Sequence, residues 1–596
     1  MPKRFVICTL IFCGLILAGI PAVPFQQPAN QNQPKSSENP QYKLSVRSNL
    51  VLVPVIVVDK HGDHVAGLKA EDFEVKEDGN AEKIVRMDEV TVGDTAKVKR
   101  PAVAANTFTN EVVAEHPKKM EIIALDQINV PFAGGADGNR MLIEFLAKNL
   151  DSNTLLAMVA LTHNGVRIIH DFTSDTSTLA AVLGKIRNKP GTLDAASMNV
   201  SGENLPVDLE VLQLDALLNG ADIDFSQLSP AQAVAALKAA SANARATVDL
   251  SRRAQDAMIT LECFQQIAEY FGGVPGRKSL IWASTGFPFG TGAGTVQSTV
   301  RGNLEEDWQR TFRMLTDANI AVYPVDIGGL TTGATANNLQ KLNTTLVKTG
   351  GAEGGVMARS AGLQALEGGQ FTDPNVGRQE TMRQLADRTG GQPFYNSNDG
   401  AELFRRAGQD AGQYYTLAYY TKDTGKYGWR KLNVKVKRDD VKVRARNGFY
   451  FNDPKKAGDP NQAIQDLKMA ITSDLNFTFV PLKGEWLGTQ TVGDKRDVQF
   501  VLSIPPGVPA IDSENENHVS LDFLVVATDK MGKNVANISQ RLDTKLKPDG
   551  VDRIQNKGLD YTNVLTLTPG DYKVHFVVRD NLRGTLGSVV SQLNVK

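Results

Sequence analysis

The stretch MEIIALDQINVPF at residues 120–132 decides how the middle of the chain is interpreted. Its first seven residues form a short, mostly apolar run that ends in an acid, which is typical of a buried strand. Similar runs follow at 155–161, 166–172, 279–284 and 320–326, and segments with helical spacing occur at 139–150, 174–186 and 304–318. Strands that alternate with helices predict crossover connections and a mostly parallel, doubly wound sheet over residues 118–411.

The sequence on either side of this unit has a β pattern. Residues 42–92 contain LVLVPVIVVD and DFEVKEDG, and residues 412–452 contain YYTLAYYT and KLNVKVKR. We expect these two segments to pack together as one sandwich into which the central unit is inserted. The regular short strands of residues 462–596 predict a second sandwich. The fold class is therefore a multidomain α/β plus all-β protein, in which a Rossmann-like parallel sheet is flanked by Ig-like β-sandwich segments.

Three further segments separate or interrupt these units. Residues 93–117, rich in Ala, Val, Thr and Asn, are interpreted as a linker. Residues 194–257 form an Ala-rich insert with largely helical spacing, and residues 328–378 form a second insert rich in Gly, Thr and Asn. The second insert follows a strand of the predicted parallel sheet, on the side where such sheets bind ligands. We therefore expect it to contribute to a functional surface.

The start of the chain has the pattern of an export signal. Lys3 and Arg4 precede an apolar run at 5–20, and small residues around Ala22 follow. This order predicts a signal peptide over 1–22, with a polar tether at 23–41 and a periplasmic or extracellular protein. The alternative is an N-terminal membrane anchor. No later segment reaches 18 apolar residues, so we expect no membrane span in the mature chain.

Composition and charge exclude several classes of protein. Hydrophobic residues make up 41% of the chain and charged residues 22%, which excludes a disordered or collagen-like chain. The 65 basic and 66 acidic residues nearly cancel, so nucleic acid is not an expected partner. Cys8 and Cys13 would leave with the signal peptide. Cys263 remains in a segment with helical spacing, which favours a buried side chain over a catalytic thiol.

Catalytic motifs are not found in the sequence. GGVPGRKS at 272–279 resembles a phosphate-binding loop, but Arg277 occupies the wrong position and the segment joins a helix to a strand. No HExxH or GxSxG motif occurs, and His61 and His64 flank a glycine turn. The prediction is a protein that is not an enzyme. The alternative is an exported hydrolase that acts on envelope glycan or peptide with acids such as Asp126, Asp326 and Asp171.

Asp126 is the candidate site residue that the sequence alone identifies. It ends the first strand of the central unit, where the carboxyl edge of a parallel sheet is expected. An acid at this place is suited to a hard cation, which prefers oxygen ligands. It is equally suited to cap a helix or to hydrogen-bond a loop. Both interpretations remain open at this point.

The chain resembles the von Willebrand factor A-related family of exported bacterial proteins. The stretches that carry the resemblance are LVLVPVIVVDKHGDHVAGLKAEDFEVKEDG, MEIIALDQINVPF, PGRKSLIWASTGFP, ANIAVYPVDIGGL, MRQLADRTGG and YYTLAYYT through VRARNGFYF, within residues 43–451. The resemblance implies a VWA-like domain that binds another protein or an envelope or extracellular macromolecule, as in adhesion. It does not identify that partner.

The resemblance also implies a metal-ion-dependent adhesion site, which is degenerate in this sequence. Asp126 matches the first ligand and Thr192 the threonine, but Ile128 and Val130 stand where serines are expected. Ser284 begins the tripeptide STG, which replaces the TDG that would supply a second acid. With one carboxylate left, the site is expected to bind Mg²⁺ or Ca²⁺ weakly at most, and no cofactor is expected.

Overall fold

The computed structural model of the chain describes residues 50–90, 119–130, 154–173, 252–286, 298–327, 374–395, 399–451 and 457–596, with short gaps, and a few pieces between 97 and 115. The predicted signal peptide and tether, the helices expected at 139–150 and 174–186, and most of the inserts 194–257 and 328–378 lie outside these residues. Among the helices described, none is both long enough and apolar enough to cross a membrane.

Strands dominate the described residues. In chain order they are β1 (Leu50–Asp59), β2 (Phe73–Glu77), β3 (Asn80–Glu82), β4 (Ile84–Val90), β5 (Lys97–Lys99), β6 (Thr107–Thr109), β7 (Val113–Glu115), β8 (Lys119–Asp126), β9 (Thr154–Thr162), β10 (Gly165–Thr173), β11 (Lys278–Ser284), β12 (Ile320–Asp326), β13 (Tyr414–Tyr420), β14 (Gly428–Val436), β15 (Val441–Ala445), β16 (Gly448–Phe451), β17 (Lys483–Val492), β18 (Lys495–Ile504), β19 (His518–Thr528), β20 (Asn534–Lys545), β21 (Leu559–Leu567), β22 (Gly570–Asp580) and β23 (Thr585–Val595). The helices are α1 (252–271), α2 (Ser298–Asp317), α3 (Pro374–Thr389), α4 (Gly400–Gln409), α5 (Pro460–Thr472) and α6 (Pro548–Lys557).

A five-stranded sheet with the order β10-β9-β8-β11-β12 lies in the middle of the chain. β8 is parallel to β9 and β11, and β11 is parallel to β12. Apolar residues point to both faces of these strands, so each face needs a cover. Residues of α1, α2 and α3 pack on one face, and residues of α4 pack on the other.

The predicted fold class, with a doubly wound, Rossmann-like and VWA-like parallel sheet at its centre, is wrong. Five of the six described sheets contain antiparallel pairs alone, and in the sixth the β9–β10 hairpin is antiparallel. The two described crossover helices, α1 before β11 and α2 before β12, contribute to the same apolar cluster and therefore to the same face. A doubly wound sheet has crossover helices on both faces. Beyond β12, Phe394 adds only a single parallel bridge to Val325 among the described residues.

Residues 50–90 and 414–451 together form two facing sheets, which we call the N-terminal sandwich. One sheet has the order β15-β1-β13-β4 and the other β16-β14-β2-β3. The central pair of the first sheet joins Leu50 to Tyr420 and Val55 to Tyr415, and in the second sheet β2 pairs with β14. Side chains that alternate inward from both sheets form one shared apolar core.

The C-terminal sandwich consists of the sheets β21-β18-β17-β6 and β20-β19-β22-β23. Its strand β6 comes from the segment 93–117, where the sequence predicts a linker. The ring of Phe108 stacks on Phe576 with centroids 4.6 Å apart, and it fills the place where a side chain on residue 484 would lie. A Cβ on Gly484 would come 1.9 Å from that ring. Glycine at this position therefore lets β6 dock.

The five-stranded sheet joins the C-terminal sandwich through buried polar contacts. The Asp466 carboxylate accepts Arg579 Nε at 2.8 Å and also bonds to Arg310 of α2. Thr478 donates its backbone N–H to the Glu269 carbonyl at the end of α1, and its hydroxyl accepts Gly273 N–H at 2.8 Å. A buried charge that is paired and hydrogen-bonded resists separation, because either partner alone would be left uncompensated.

The N-terminal sandwich is joined to the same sheet through arginines and aromatic rings. The guanidinium of Arg388 lies 4.9 Å from the ring centroid of Phe312 and 5.0 Å from that of Trp429. The backbone N–H of Arg277 donates to the Tyr414 hydroxyl, and its side chain donates to the Tyr323 hydroxyl at 2.9 Å. Cations between aromatic faces are favourable, most of all when desolvated.

We expect Phe108→Ala to destabilise the C-terminal sandwich by about 3 kcal/mol, because a large buried ring is replaced by a cavity. Urea denaturation and hydrogen exchange over residues 483–492 would measure the effect. Thr562→Ala, at an exposed position of β21, is the control. If the two variants lost stability equally, β6 would not be an integral strand of this sandwich.

Lys278 gives a pH-dependent prediction. Its side chain is 1% exposed, Nζ donates to the carbonyls of Val274 and Gly276, and burial lowers its pKa from 10.5 to about 7. The unfolded chain binds this proton more tightly than the folded chain. The charged Lys278 therefore destabilises the fold fully below the folded pKa, and this destabilisation disappears as pH rises towards 10.5.

In the unaltered chain, Lys278 should make the free energy of unfolding rise by about 1.4 kcal/mol per pH unit between the two pKa values. In the Lys278→Met variant this rise should be absent. Urea denaturation at pH 7 and pH 9 measures this difference. Lys431→Met, at an exposed lysine, should leave the pH dependence as in the unaltered chain. A Lys278→Met variant with an unchanged slope would contradict the assignment.

Candidate functional site

Asp126 ends β8 at the carboxyl edge of the five-stranded sheet, and five protein donors surround its carboxylate. Oδ1 accepts the backbone N–H groups of Ile128 and Asn129, each at 2.9 Å. Oδ2 accepts the Asn129 side-chain amide at 2.8 Å, Trp282 Nε1 at 3.1 Å and the Ser284 hydroxyl at 2.6 Å. We call this arrangement the Asp126 centre.

The neighbours of Asp126 are themselves connected. The Ser284 hydroxyl also accepts Gly286 N–H at 3.1 Å, and the Thr285 hydroxyl donates to the Asn129 carbonyl at 2.7 Å. The Asn129 amide donates at 2.9 Å to the hydroxyl of Thr260 on α1. The centre thus ties the turn after β8 to the end of β11 and to α1. Local bonds from the acid to the two following N–H groups hold the turn itself.

Burial dominates the electrostatics of this centre. Asp126 is 4% exposed, and desolvation raises the pKa of its carboxyl while the hydrogen bonds from Ser284 and Asn129 lower it, with a net increase. Burial likewise raises the pKa of the nearby Cys263 thiol, and the charge of Asp126 adds to that increase. Cys263 is fully buried on α1, in agreement with the interpretation from its helical spacing.

The contacts of Asp126 favour a hydrogen-bonding role over a cation site. The carboxylate hydrogen-bonds its own loop, as one interpretation expects, and a cation would have to displace these donors. Asn129 turns its amide nitrogen to the carboxylate, while its buried Oδ1 has no partner among the described residues. Thr192, the other predicted ligand, lies outside the described residues. Within the described ranges, no three His, Cys, Asp or Glu side chains are grouped as a metal site.

The acids considered for hydrolysis do not converge on Asp126. Asp126 pairs in register with Leu161 near the end of β9. Asp171 of β10 lies beside an earlier part of β9, because its neighbours His170 and Thr173 pair with Met158 and Leu156. At 3.3 Å per residue the two are displaced by roughly 13 Å along the strands. Asp326 is the register partner of Ser284, so it lies two strands from Asp126, at roughly 10 Å.

Both histidines at the first hairpin have structural contacts. His61 donates its backbone N–H to Asp59 Oδ1 at 2.8 Å, which is turn chemistry. His64 stacks on Tyr415 with ring centroids 5.3 Å apart, and its Nε2 lies 3.1 Å from Glu89 Oε1. The turn interpretation from the sequence agrees with these contacts.

Comparisons with known proteins add little to this description. No protein-family model and no curated protein matches the chain. Among solved structures, a glycosyl hydrolase family 2 member from Bacteroides cellulosilyticus matches with 7% identity and a TM-score of 0.14, over 32% of this chain and 21% of that one. A putative β-galactosidase from Bacteroides fragilis matches with 10% identity and a TM-score of 0.15, over 31% of this chain and 24% of that one. The chain thus spans less than a quarter of these proteins, and such likeness carries no argument.

We expect Asp126→Asn to destabilise the chain by about 2–4 kcal/mol, because an amide nitrogen would then face two donors at the Oδ1 position or three at the Oδ2 position. Ser284→Ala removes one of the five hydrogen bonds and should cost about 1 kcal/mol. Thermal and urea unfolding measure both, with Thr491→Ala at an exposed position of β17 as control. Equal stability of the Asp126→Asn variant and the unaltered chain would contradict a structural role for this carboxylate.

Proposed function

We propose that the chain is an exported, non-enzymatic protein that binds another protein or an envelope macromolecule through the carboxyl edge of its five-stranded sheet. The observation that carries this proposal is the common direction of β8, β11 and β12. These strands are parallel and end at Asp126, Ser284 and Asp326. The segments 127–153, 285–297 and 327–373 therefore all start at one edge. Long segments that start from a rigid support are typical of binding surfaces.

The positions of the two sandwiches support the choice of this edge. The N-terminal sandwich contacts this part of the chain through Tyr414, whose hydroxyl accepts the backbone N–H of Arg277 immediately before β11, and Arg277 in turn donates to the Gly390 carbonyl. The C-terminal sandwich bonds to Glu269, Tyr270 and Gly273, at the end of α1. These contacts lie near the amino end of β11. The carboxyl edge, where the three segments start, is at the other end of these strands.

The chemistry of the Asp126 centre supports binding rather than catalysis. The carboxylate is buried and satisfied by five donors, so it has no free lone pair directed at a substrate. A general base must reach the proton that it removes. Asp171 and Asp326 do not lie beside it. Export is supported by the charged, then apolar, then small-residue start of the sequence.

The test uses the mature chain immobilised in an envelope extract, with bound material identified by mass spectrometry. Replacement of residues 331–371 by a short Gly/Ser linker should reduce recovery of the partner by ~10-fold or more, since it removes one of the three segments. The matched control is Met531→Ser at the exposed tip of the β19–β20 hairpin, which should bind as before.

The same preparation distinguishes the hydrolase alternative. Chromogenic ester, peptide and glycoside substrates would be incubated with the unaltered chain, with Asp326→Asn and with the linker variant. We expect no turnover. Hydrolysis by the unaltered chain that either change abolishes would refute the proposal, and so would recovery of the same partners by the linker variant.

A further inference from the structure

The strand β20 is the longest edge strand among the described residues. It spans 12 residues, Asn534–Lys545, and lies at the end of the sheet β20-β19-β22-β23. It pairs with β19 alone, and the one irregularity of that ladder is at its end, between Ala527 and Thr528. Most of its residues are exposed. Its outer row of backbone groups has no strand partner in the described part of the chain.

The other side of this sandwich is covered by the chain itself. β6 pairs with β17 at the edge of one sheet. Along β23, at the edge of the other sheet, Ser588 N–H donates to the Phe477 carbonyl at 2.9 Å and Val590 N–H donates to Asn476 Oδ1 at 3.1 Å. Edge strands left open are templates for pairing with another chain, so natural proteins cover or blunt them.

β20 has few of the usual protective features. Residues 534–540, NVANISQ, contain no charge and no proline. The charges of β20, Arg541, Asp543 and Lys545, lie in its last five residues, whereas the charges of β4 lie in its middle, and β10 has two register shifts along its pairing with β9. β21, on the same side of the sandwich, is tied to β20 by the Tyr561 hydroxyl, which donates to Gln540 Oε1 at 2.7 Å.

We propose that β20 pairs antiparallel with β20 of a second copy of this chain, with the two-fold axis at Ile538. In this register Asn537 opposes Ser539 of the partner and Ala536 opposes Gln540. Residues of even number, among them Ala536, Ile538 and Leu542, already pack on the sandwich core. Even positions oppose even positions across this axis, so the two cores become continuous beneath one sheet of eight strands.

Charge complementarity selects this register. Lys533 opposes Asp543 of the partner at both ends of the ladder, and Val535 opposes Arg541. Lys533 has no ion pair among the described residues, and the Asp543 carboxylate, which accepts from His518 and Ser520, has lone pairs left. A register centred on Asn537 would instead oppose Lys533 to Arg541. Opposite charges on facing strands stabilise a pair, and like charges destabilise it.

The test measures the mass of the mature chain by light scattering after gel filtration over a range of micromolar concentrations. The expected mass is twice that of the monomer. Val535→Lys should give a monomer, because it places like charges opposite Arg541 of the partner. The matched control is Val564→Lys on β21: Val535 is 42% exposed and Val564 is 41% exposed, and both changes add one charge. The control should remain a dimer.

A charge exchange tests the register itself. Lys533→Asp alone should weaken the dimer by about tenfold, since the change acts at both ends of the ladder. Lys533→Asp combined with Asp543→Lys should restore it. A monomeric unaltered chain would overturn the proposal, as would a dimer that survives Val535→Lys, dissociation by Val564→Lys, or failure of the combined variant to recover. Circular dichroism confirms that each variant is folded.

Discussion

The carboxylate of Asp466 lies between two arginines that belong to different parts of the chain. Arg310 comes from α2, on the five-stranded sheet, and Arg579 comes from β22 of the C-terminal sandwich. Removal of one partner from such a buried pair typically costs 3–5 kcal/mol, because the remaining charge keeps its desolvation penalty. Glu269 lies nearby with a pKa raised well above its usual value, first by burial and then by the charge of Asp466. The sheet and the C-terminal sandwich are thus held in one arrangement.

The pairing of β8 with β11 explains why the Asp126 centre can be built from distant residues. A hydrogen bond between Asp126 and Ser284 joins residues that are 158 positions apart, and that distance in sequence is bridged only because β8 and β11 are neighbours. A satisfied buried carboxylate favours one arrangement of these groups, since any other would leave donors unpaired. These bonds tie the residue that follows β8 to the end of β11 at the edge from which the three segments start.

The sequence predicts local features well and long-range ones poorly. IAVYPVD coincides with β12, and the helix expected at 304–318 corresponds to α2, because burial and helical periodicity are local properties. The hairpins at Asp59 and Asp529 share a DKxG sequence, and each aspartate accepts two backbone N–H groups of its own turn. The docking of β6 depends on the absent side chain of Gly484, and no nearby pattern reveals that. The predicted winding of the sheet is wrong because hydrophobic periodicity does not encode the handedness of a crossover or the face of the sheet on which its helix packs.

The edges of the sheets show which parts of the fold the chain completes by itself. Along two edges of the C-terminal sandwich the chain supplies β6 and residues 476–480, and Thr478 of the second segment bonds to Gly273 after α1. β20 is on the opposite side of the same sandwich, next to β21, and nothing in the described chain reaches its outer row. A segment from the same chain would need a long connection across the sandwich, and the cost of closing a loop grows with its length. An identical strand already has the matching length and twist, so a symmetric pair is the simplest cover for this edge.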